Sequence, residues 1–429
     1  MTPGYKQTEV GVIPEEWEVR PFTHVTDLIT CGIAATPEYA PESRGYPFLS
    51  STNVKEGRIL WSDYKHISAA LHRQLYRNNP PKRGDILYSR VGTFGEAAVV
   101  EVDFEFSVYV SLTLIKPGKP LDSFYLMHLL NSDSYKRRAK DQVYLGGGVG
   151  NLNVDVVRRY PIVVPPLPEQ RAIATALSDV DALLGALDRL IAKKRDLKQA
   201  AMQQLLTGQT RLPGFHGEWE VKRLGELIHL IPSGIYGEEK PREGLQPALV
   251  ATTAHIETDD RWNTKEMSVR YFSQEKAHRY SIQEGDLIVV KSSGSAASIQ
   301  SGKLGFVDST RAGKFLFSNF LMLLRPTSIV QRFLYFYLCS HNVKKLLPTL
   351  VEASTYPNIR LGDYLDVEIP KPPPDEQTAI AEVLTEMDAE LAVLEQRQEK
   401  IRALKQGMMQ ELLTGRVRLV RPEQMEVTA

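Results

Sequence analysis

Apolar residues recur with heptad spacing in two long stretches, residues 168–208 and 375–415, which align without a gap at an offset of about 207 residues. Alternating steps of four and three place such side chains on one seam of a helix, as in a coiled coil. The spacing therefore predicts two long helices with matching seams. The seam residues are Ile173, Leu177, Val180, Leu184, Leu187 and Ile191 in the first stretch, and Ile380, Leu384, Met387, Leu391, Leu394, Ile401, Met408 and Leu412 in the second.

The ends of both stretches carry helix signals. Pro168 and Pro374 suit a first helical turn, where neighbouring acidic residues favour the helix dipole, and Gly208 and Gly415 suit the left-handed residue that ends a helix. Forty residues of helix extend about 60 Å, and a lone helix with an apolar seam is unstable in water. We expect the two helices to pair antiparallel within one chain, with pairing between chains as the alternative. Polar residues that interrupt the seams could set the register or reach solvent: Lys194, Lys198, Gln398 and Lys405.

The repeat extends beyond the helices. The tetrapeptide at residues 16–19 recurs at residues 218–221, and short apolar runs between turn signals predict strands in both intervening segments. A helix is expected near residues 123–138, where Phe124, Leu126, Met127 and Leu130 should face inward, and again near residues 332–345. The predicted class is α+β, with two mixed, mainly β domains alternating with two long helices in a pseudo-two-fold internal repeat. The predicted bounds are 1–164 and 209–371 for the domains, 165–208 and 372–416 for the helical spacers, and 417–429 for a C-terminal tail.

Composition narrows the class of protein. Hydrophobic content of 42% and charged content of 24% describe a soluble folded chain. The absence of a long apolar run and the polar first residues argue against a membrane span or a secretory signal. Cys31 and Cys339 lie far apart without metal-ligand spacing, so we expect reduced thiols, a cytoplasmic location and no metal site. A formal net charge of zero counts mildly against a protein that binds nucleic acid alone.

Motifs for catalysis are weak. Residues 79–82 resemble the tetrapeptide with which adenine methyltransferases hold a base, but Lys82 stands where that motif needs an aromatic residue. Residues 41–42 with 63–65 loosely resemble a nuclease set, and a solvated turn with a strand edge explains them better. Residues 146–150 lack the glycine spacing of a dinucleotide fingerprint and predict a flexible loop. We therefore predict no catalytic residue, and an autonomous nuclease or methyltransferase is the weaker alternative.

Polar and basic residues cluster on turns at matching places in the two domains. Such side chains can hold phosphates or read base edges, although each one singly is better explained as an ordinary turn residue. Their matching placement favours a collective role in DNA binding. The candidates are Arg44, Tyr46, Thr52, Asn53, Lys55, Arg90, Thr93, Arg137, Arg138 and Asn151 in the first domain, and Thr252, Thr253, His255, Lys291, Ser292, Ser293, Lys344, Lys345 and Asn358 in the second.

Two variable domains alternating with near-identical helices, with residues 165–170 opening the first helix and 204–208 closing it, resemble the specificity subunit of a type I restriction-modification system. The resemblance covers essentially the whole chain. It implies two target recognition domains, each reading one half of a bipartite, asymmetric site in double-stranded DNA, and helices that act as a ruler. It also implies docking of two modification (methyltransferase) subunits and of restriction/translocase subunits, which would carry S-adenosylmethionine, ATP and Mg²⁺; no cofactor is expected on this chain. The alternative is a coiled-coil assembly scaffold whose two domains bind protein partners.

Overall fold

The computed structural model describes residues 3–33, 37–144, 150–263, 265–295, 298–352 and 357–420. The chain forms two compact units. The first unit comprises Met1–Asp188 and Gln396–Ala429, and the second comprises Arg189–Glu395. These units differ from the linear division expected from the sequence, because each long helix contributes to both. The predicted flexible loop at residues 146–149 and the end of the predicted tail, residues 421–429, lie outside the described residues.

The first unit is built around a four-stranded antiparallel sheet that has, in order, β10 (Ala97–Val99), β9 (Ile86–Ser89), β12 (Leu112–Pro117) and β4 (Thr26–Cys31). Alternate residues of β9 enter different apolar clusters, with Ile86 and Tyr88 on one face and Leu87 on the other, so both faces of this sheet are covered. A smaller sheet has, in order, β11 (Ser107–Val108), β5 (Tyr46–Leu49) and β8 (Lys65–Ile67). The strands are β1 (Tyr5–Thr8), β2 (Gly11–Pro14), β3 (Glu18–Pro21), β4 (Thr26–Cys31), β5 (Tyr46–Leu49), β6 (Val54–Lys55), β7 (Arg58–Ile59), β8 (Lys65–Ile67), β9 (Ile86–Ser89), β10 (Ala97–Val99), β11 (Ser107–Val108), β12 (Leu112–Pro117) and β13 (Pro161–Val164).

The helix expected near residues 123–138 is two helices. Ser132 has extended backbone (φ −67°, ψ 154°) and separates them. Phe124 was expected to face inward but is 36% exposed, because it lies in the first turn of its helix at the surface. The helices are α1 (Ala69–Asn78), α2 (Ser123–Leu130), α3 (Asp133–Asp141), α4 (Val154–Val157) and the first long helix, α5 (Leu167–Leu205).

The second unit repeats this plan, with a four-stranded antiparallel sheet that has, in order, β15 (Ile228–Ile231), β23 (Leu321–Pro326), β18 (Leu287–Val290) and β21 (Leu304–Phe306). The helix expected near residues 332–345 is again two, separated at Ser340. The predicted α+β class and internal repeat are therefore confirmed. The strands are β14 (Glu220–Arg223), β15 (Ile228–Ile231), β16 (Leu245–Ala251), β17 (Ser268–Ser273), β18 (Leu287–Val290), β19 (Gly294–Ser295), β20 (Ser298–Ile299), β21 (Leu304–Phe306), β22 (Leu316–Phe317), β23 (Leu321–Pro326), β24 (Val351–Glu352), β25 (Asn358–Ile359) and β26 (Glu368–Lys371). The helices are α6 (Leu224–Leu227), α7 (Gln274–Arg279), α8 (Gln331–Cys339), α9 (His341–Leu350), α10 (Leu361–Leu365) and the second long helix, α11 (Pro374–Leu412).

In the first unit, the beginning of α5 lies beside the end of α11. Ile173 and Leu412 both enter the main apolar cluster of the unit. Lys405 Nζ lies 2.6 Å from Asp181 Oδ1, and Gln398 Nε2 donates to Asp188 Oδ1 at 2.6 Å. Residue numbers rise along one helix as they fall along the other, so these two segments are antiparallel.

The second unit has the reciprocal arrangement, with the end of α5 beside the beginning of α11. Lys198 Nζ lies 2.5 Å from Asp388 Oδ1, and Lys194 Nζ lies 2.7 Å from Glu390 Oε1. The Lys198–Asp388 pair matches Lys405–Asp181 of the first unit at the offset of the repeat. The polar residues that interrupt the seams are therefore paired with a residue of the facing segment, which favours one register.

The seam residues themselves lie inward. Val180, Met387, Leu394, Ile401 and Met408 are partly buried, and the other seam residues are buried. Gly208 and Gly415 have φ values of +72° and +70°, as predicted for residues that end these helices. Among the described residues, no helix is both long and apolar enough to cross a membrane.

Candidate nucleic-acid interface

In the first unit, several loops meet where β9 ends and β12 begins. We call residues 50–53, 90–93, 109–111, 144 and 151 the first loop cluster. The Arg90 amide donates to the Ser111 carbonyl at 2.9 Å, and the Ser51 amide donates to Ser111 Oγ at 2.9 Å. The Leu152 amide donates to the Arg90 carbonyl at 2.9 Å, which joins the asparagine-led segment to the same turn. Backbone bonds thus fix the relative positions of loops that are distant in sequence.

The second unit has a matching arrangement where β18 ends and β23 begins. We call residues 252–255, 291–293, 318–320, 352 and 358 the second loop cluster. The Lys291 amide donates to the Phe320 carbonyl at 2.9 Å, and the Ser318 amide donates to the Ala251 carbonyl at 2.9 Å. The Ile359 amide donates to the Lys291 carbonyl at 2.9 Å. The two clusters therefore share a backbone scaffold and differ in side chains.

In each cluster, one of the predicted DNA-binding residues stabilises a turn. Asn53 is 3% exposed, and its Oδ1 accepts from the Ser50 amide at 2.9 Å. His255 is 5% exposed, and the Thr252 amide lies 2.9 Å from its Nδ1. These polar atoms satisfy the backbone of their own turns, and the role of Asn53 and His255 in DNA binding stays a prediction.

Arg90 is also an internal residue. It is 6% exposed, and its guanidinium donates to the carbonyls of Leu152 and Val110, each at 2.9 Å, and to Asn151 Oδ1 at 2.8 Å. A buried guanidinium with three acceptors is a crosslink between loops, and a direct contact of Arg90 with DNA stays a prediction. Asn151 remains exposed, with its Oδ1 engaged by Arg90.

Lys291 occupies the matching position in the second loop cluster and behaves differently. Its side chain is partly exposed, and its Nζ reaches the Pro232 carbonyl only at 3.4 Å. Asn358 Oδ1, the counterpart of the atom that Arg90 binds, is buried and has no partner among the described residues. The ammonium group of Lys291 is therefore weakly held and available to an anionic ligand.

The remaining predicted residues divide between the clusters and other surfaces. Within the clusters, Thr52 and Thr93 are exposed, and Thr252, Thr253, Ser292 and Ser293 are partly exposed. Tyr46 stacks on His72 with ring centroids 3.9 Å apart, and Lys344 Nζ bonds Asp260 Oδ1 at 2.8 Å, so both are committed within their units. The residues that the structure places outside the two clusters are Arg44, Tyr46, Lys55, Arg137, Arg138, Lys344 and Lys345.

Sequence reasoning missed a buried junction at the start of each long helix. Glu169 is fully buried in the first unit, where it accepts from Trp17 Nε1 at 2.9 Å and from Arg418 Nη2 at 2.8 Å. In the second unit, Glu376 is also fully buried, and it accepts from Trp219 Nε1 at 3.1 Å and from Arg211 Nη2 at 2.6 Å. The sequence suggested only a favourable helix-dipole contact for these acidic residues.

The adjacent glutamines tie each domain to its following helix. Gln170 Nε2 donates to the carbonyls of Pro120 and Pro165, each at 2.8 Å, and its Oε1 accepts from the Asp122 amide at 2.8 Å. Gln377 binds the Pro372 carbonyl and the Val330 amide, each at 2.7 Å. These junctions could have been found in the sequence from three features that both copies share. They are the Glu-Gln pair, a tryptophan upstream of it, and an arginine three residues after the glycine that ends each long helix.

A cavity of about 850 Å³ in the second unit lies between its globular part and its helix segments. Its charges are largely paired across the wall. Arg195 and Arg261 both bind Glu395, and although partial burial opposes ionisation, these hydrogen bonds lower the pKa of Glu395. In the first unit, Arg58 Nη2 makes a comparable contact with the Asp181 carbonyl at 2.7 Å. Within the described residues, no group of three or more His, Cys, Asp or Glu side chains is placed to hold a metal ion.

Comparison with known families gives a match over most of the chain. The model described as the type I restriction modification DNA specificity domain matches residues 14–193 and again residues 216–403. Among similar proteins, the MjaX chain of Methanocaldococcus jannaschii, provisionally named a type I restriction enzyme specificity subunit, is 27% identical, with 97% of each chain covered. The type I restriction enzyme MjaVIII specificity subunit of the same organism is 26% identical, covering 95% of this chain and 94% of the relative.

Solved structures agree at the level of fold. The S subunit of a type I restriction-modification system from M. genitalium aligns with a TM-score of 0.57 and 17% identity, covering 96% of this chain and 99% of that one. A chain from a study of complex assembly and conformational transition in the type I R-M system aligns with a TM-score of 0.54 and 18% identity, covering 94% and 99%.

Proposed function

This chain belongs to the type I restriction-modification DNA specificity family, and we propose on that premise that it is the non-catalytic, DNA-reading subunit of a type I restriction-modification complex. The observation that carries the proposal is the pair of loop clusters, which share one backbone scaffold and present different side chains. A shared scaffold places two readers at equivalent positions, and different side chains let them read different bases.

The first loop cluster reads one half of a bipartite double-stranded DNA site, and the second reads the other half. The site is asymmetric because matched positions differ in chemistry. Where the first cluster has the buried crosslink Arg90, the second has the partly exposed Lys291. Exposed hydroxyls, such as that of Thr52, are available for phosphates or base edges.

The long helices form the framework of this function. We infer that α5 and α11 pair along their full length as an antiparallel coiled coil, which is supported by the ion pairs in each unit and by the inward seams. This framework sets the separation of the half-sites and docks two methyltransferase subunits and the restriction/translocase subunits. S-adenosylmethionine, ATP and Mg²⁺ are bound by those partner subunits.

The proposal is tested by expressing the chain with its methyltransferase subunits and mapping methylated adenines by sequencing. We expect one bipartite recognition sequence. Lys291→Ala should alter selection in one half-site only, and Thr52→Ala should alter the other only. A lost base contact should reduce selection by about 1–3 kcal/mol at one position, whereas a lost phosphate contact should weaken all sites alike.

Three outcomes would contradict the proposal. Methylation or cleavage by the isolated chain would show that it is catalytic. A complex that assembles but shows no DNA preference would favour a protein-binding scaffold. Equal disturbance of both half-sites by either variant would exclude two independent readers.

A further inference from the structure

The second loop cluster contains an exposed aromatic residue that the proposed function leaves without a role. Phe320 is 51% exposed. Its carbonyl accepts from the amides of Lys291 at 2.9 Å and Ser292 at 3.3 Å, and it immediately precedes β23. Its backbone is therefore held between two strand ends while its side chain remains half exposed beside Lys291.

The matching position in the first loop cluster shows that the scaffold does not need an aromatic residue here. Ser111 accepts from the Arg90 amide through its carbonyl, just as Phe320 accepts from the Lys291 amide. Ser111 is only 5% exposed, and its Oγ binds the Ser51 amide. Because a small, inward serine serves the same backbone, the exposed ring of Phe320 is not a requirement of the fold.

The first loop cluster carries its exposed aromatic residue elsewhere. Tyr144 is 75% exposed and exchanges backbone hydrogen bonds of 3.0 and 3.1 Å with Asn151. In the second unit, Glu352 pairs with Asn358 at the matching place. Among the described residues, the two clusters therefore differ in where an exposed aromatic ring lies.

We propose that Phe320 is a specificity-determining residue that contacts the C5-methyl group of a thymine in the half-site read by the second loop cluster. The proposal rests on the proposed function. That methyl group is the apolar feature of an A·T pair in the major groove, and a phenyl face is suited to cover it. Phe320 is 51% exposed, so part of its ring is available for this contact. Insertion of the ring between base steps as a wedge is the alternative that the test separates.

The test uses the complex of the full chain with its methyltransferase subunits, after its half-sites have been mapped by methylation sequencing. Affinity is measured for duplexes that carry thymine or deoxyuridine in the relevant half-site, since deoxyuridine lacks only the C5-methyl group. Wild type should bind the deoxyuridine duplex about fourfold more weakly, as expected for loss of one buried methyl-sized contact. Phe320→Ala should bind the thymine duplex several-fold more weakly and no longer distinguish the two.

Phe320→Ser is a second variant that should retain the fold, because serine stands at the matching position of the first unit. Val221→Ala is the control: Val221 is 58% exposed on β14, outside the loop cluster, and its variant should retain the wild-type preference for thymine. Deoxyuridine in the other half-site should affect wild type and the Phe320 variants equally.

The proposal is overturned if wild type is indifferent to deoxyuridine, if the Phe320 variants remain as sensitive to it as wild type, or if this half-site lacks thymine. Equal weakening of both duplexes, with a loss of DNA bending in the variants, would identify a wedge and also overturn it. Failure of the proposed function is distinguishable, because the wild-type complex would then show no sequence-dependent methylation at all.

Discussion

The buried junction of the first unit predicts a large effect from a residue near the end of the chain, Arg418. Its guanidinium binds the carboxylate of Glu169, which is fully buried, and that hydrogen bond raises the pKa of Arg418. Arg418→Ala would leave this carboxylate without its cation, and Trp17 Nε1 would be its one remaining hydrogen-bond donor among the described residues. Removing one partner of a buried pair costs about 3–5 kcal/mol. The Arg418 side chain is 19% exposed, so water can partly replace its guanidinium, and we expect the free energy of unfolding to fall by about 3 kcal/mol.

That loss should be visible as a change in melting temperature. A domain the size of the first unit shifts by about 2–4 °C for each kcal/mol, so Arg418→Ala should lower the melting temperature by roughly 6–12 °C. Hydrogen exchange with mass spectrometry should localise the loss of protection to Trp17 and the start of α5. Arg416→Ala is the matched control, because the Arg416 side chain is 65% exposed and forms an ion pair with the nearby Glu411 at 3.4 Å.

A double variant separates the effect of the charge from that of packing. Glu169→Gln combined with Arg418→Met removes both charges and should recover part of the stability, as replacement of buried ion pairs by apolar groups often does. Arg211→Ala should loosen the second unit through Glu376 instead. A melting temperature of Arg418→Ala within about 1 °C of the Arg416→Ala control, or unchanged hydrogen exchange near Trp17, would contradict this role of Arg418.

Three further predictions concern α5 and its contacts. Gly185→Ala would place a Cβ 2.6 Å from Arg58 Nη2, so the flexible guanidinium should move away. Because alanine has the higher helix propensity, urea unfolding should show a variant that is equally stable or up to about 1 kcal/mol more stable. A clear destabilisation would show that the Arg58 contact contributes more than helix propensity. Burial, followed by the charge of Lys405, lowers the pKa of His128 to about 3, whereas in the unfolded chain this group binds its proton near pH 6.5. As the pH is lowered from about 6.5 to about 3, the free energy of unfolding should therefore fall by up to about 1.4 kcal/mol per pH unit. His128→Phe should reduce that slope, and equal slopes for the variant and the wild type would contradict the prediction. A double variant that exchanges the charges of Lys405 and Asp181 should recover most of the stability that either single variant loses, with a coupling free energy of about 1 kcal/mol in a double-mutant cycle. A coupling near zero would show that this pair does not help to set the register of the helices.

The elements of this fold that follow from local and periodic information could be predicted from the amino-acid sequence. The heptad spacing placed residues such as Leu177 and Leu384 inward, and glycine at positions 208 and 415 marked the left-handed residues that end the helices. The offset between the copies also indicated that the turns near Arg90 and Lys291 are equivalent. These features could be predicted because a helix period and a positive φ depend on neighbours a few residues away.

The folded structure was needed to show which side chains in those equivalent turns are available to a partner. Arg90 and Lys291 look alike in the sequence, yet Arg90 is buried by acceptors at residues 110, 151 and 152, whereas Lys291 is partly exposed. The role of Glu169 likewise depends on Trp17 and Arg418, which approach it from distant parts of the chain. Exposure and hydrogen bonding are set by groups brought together across hundreds of residues, and no local pattern records which of them will meet.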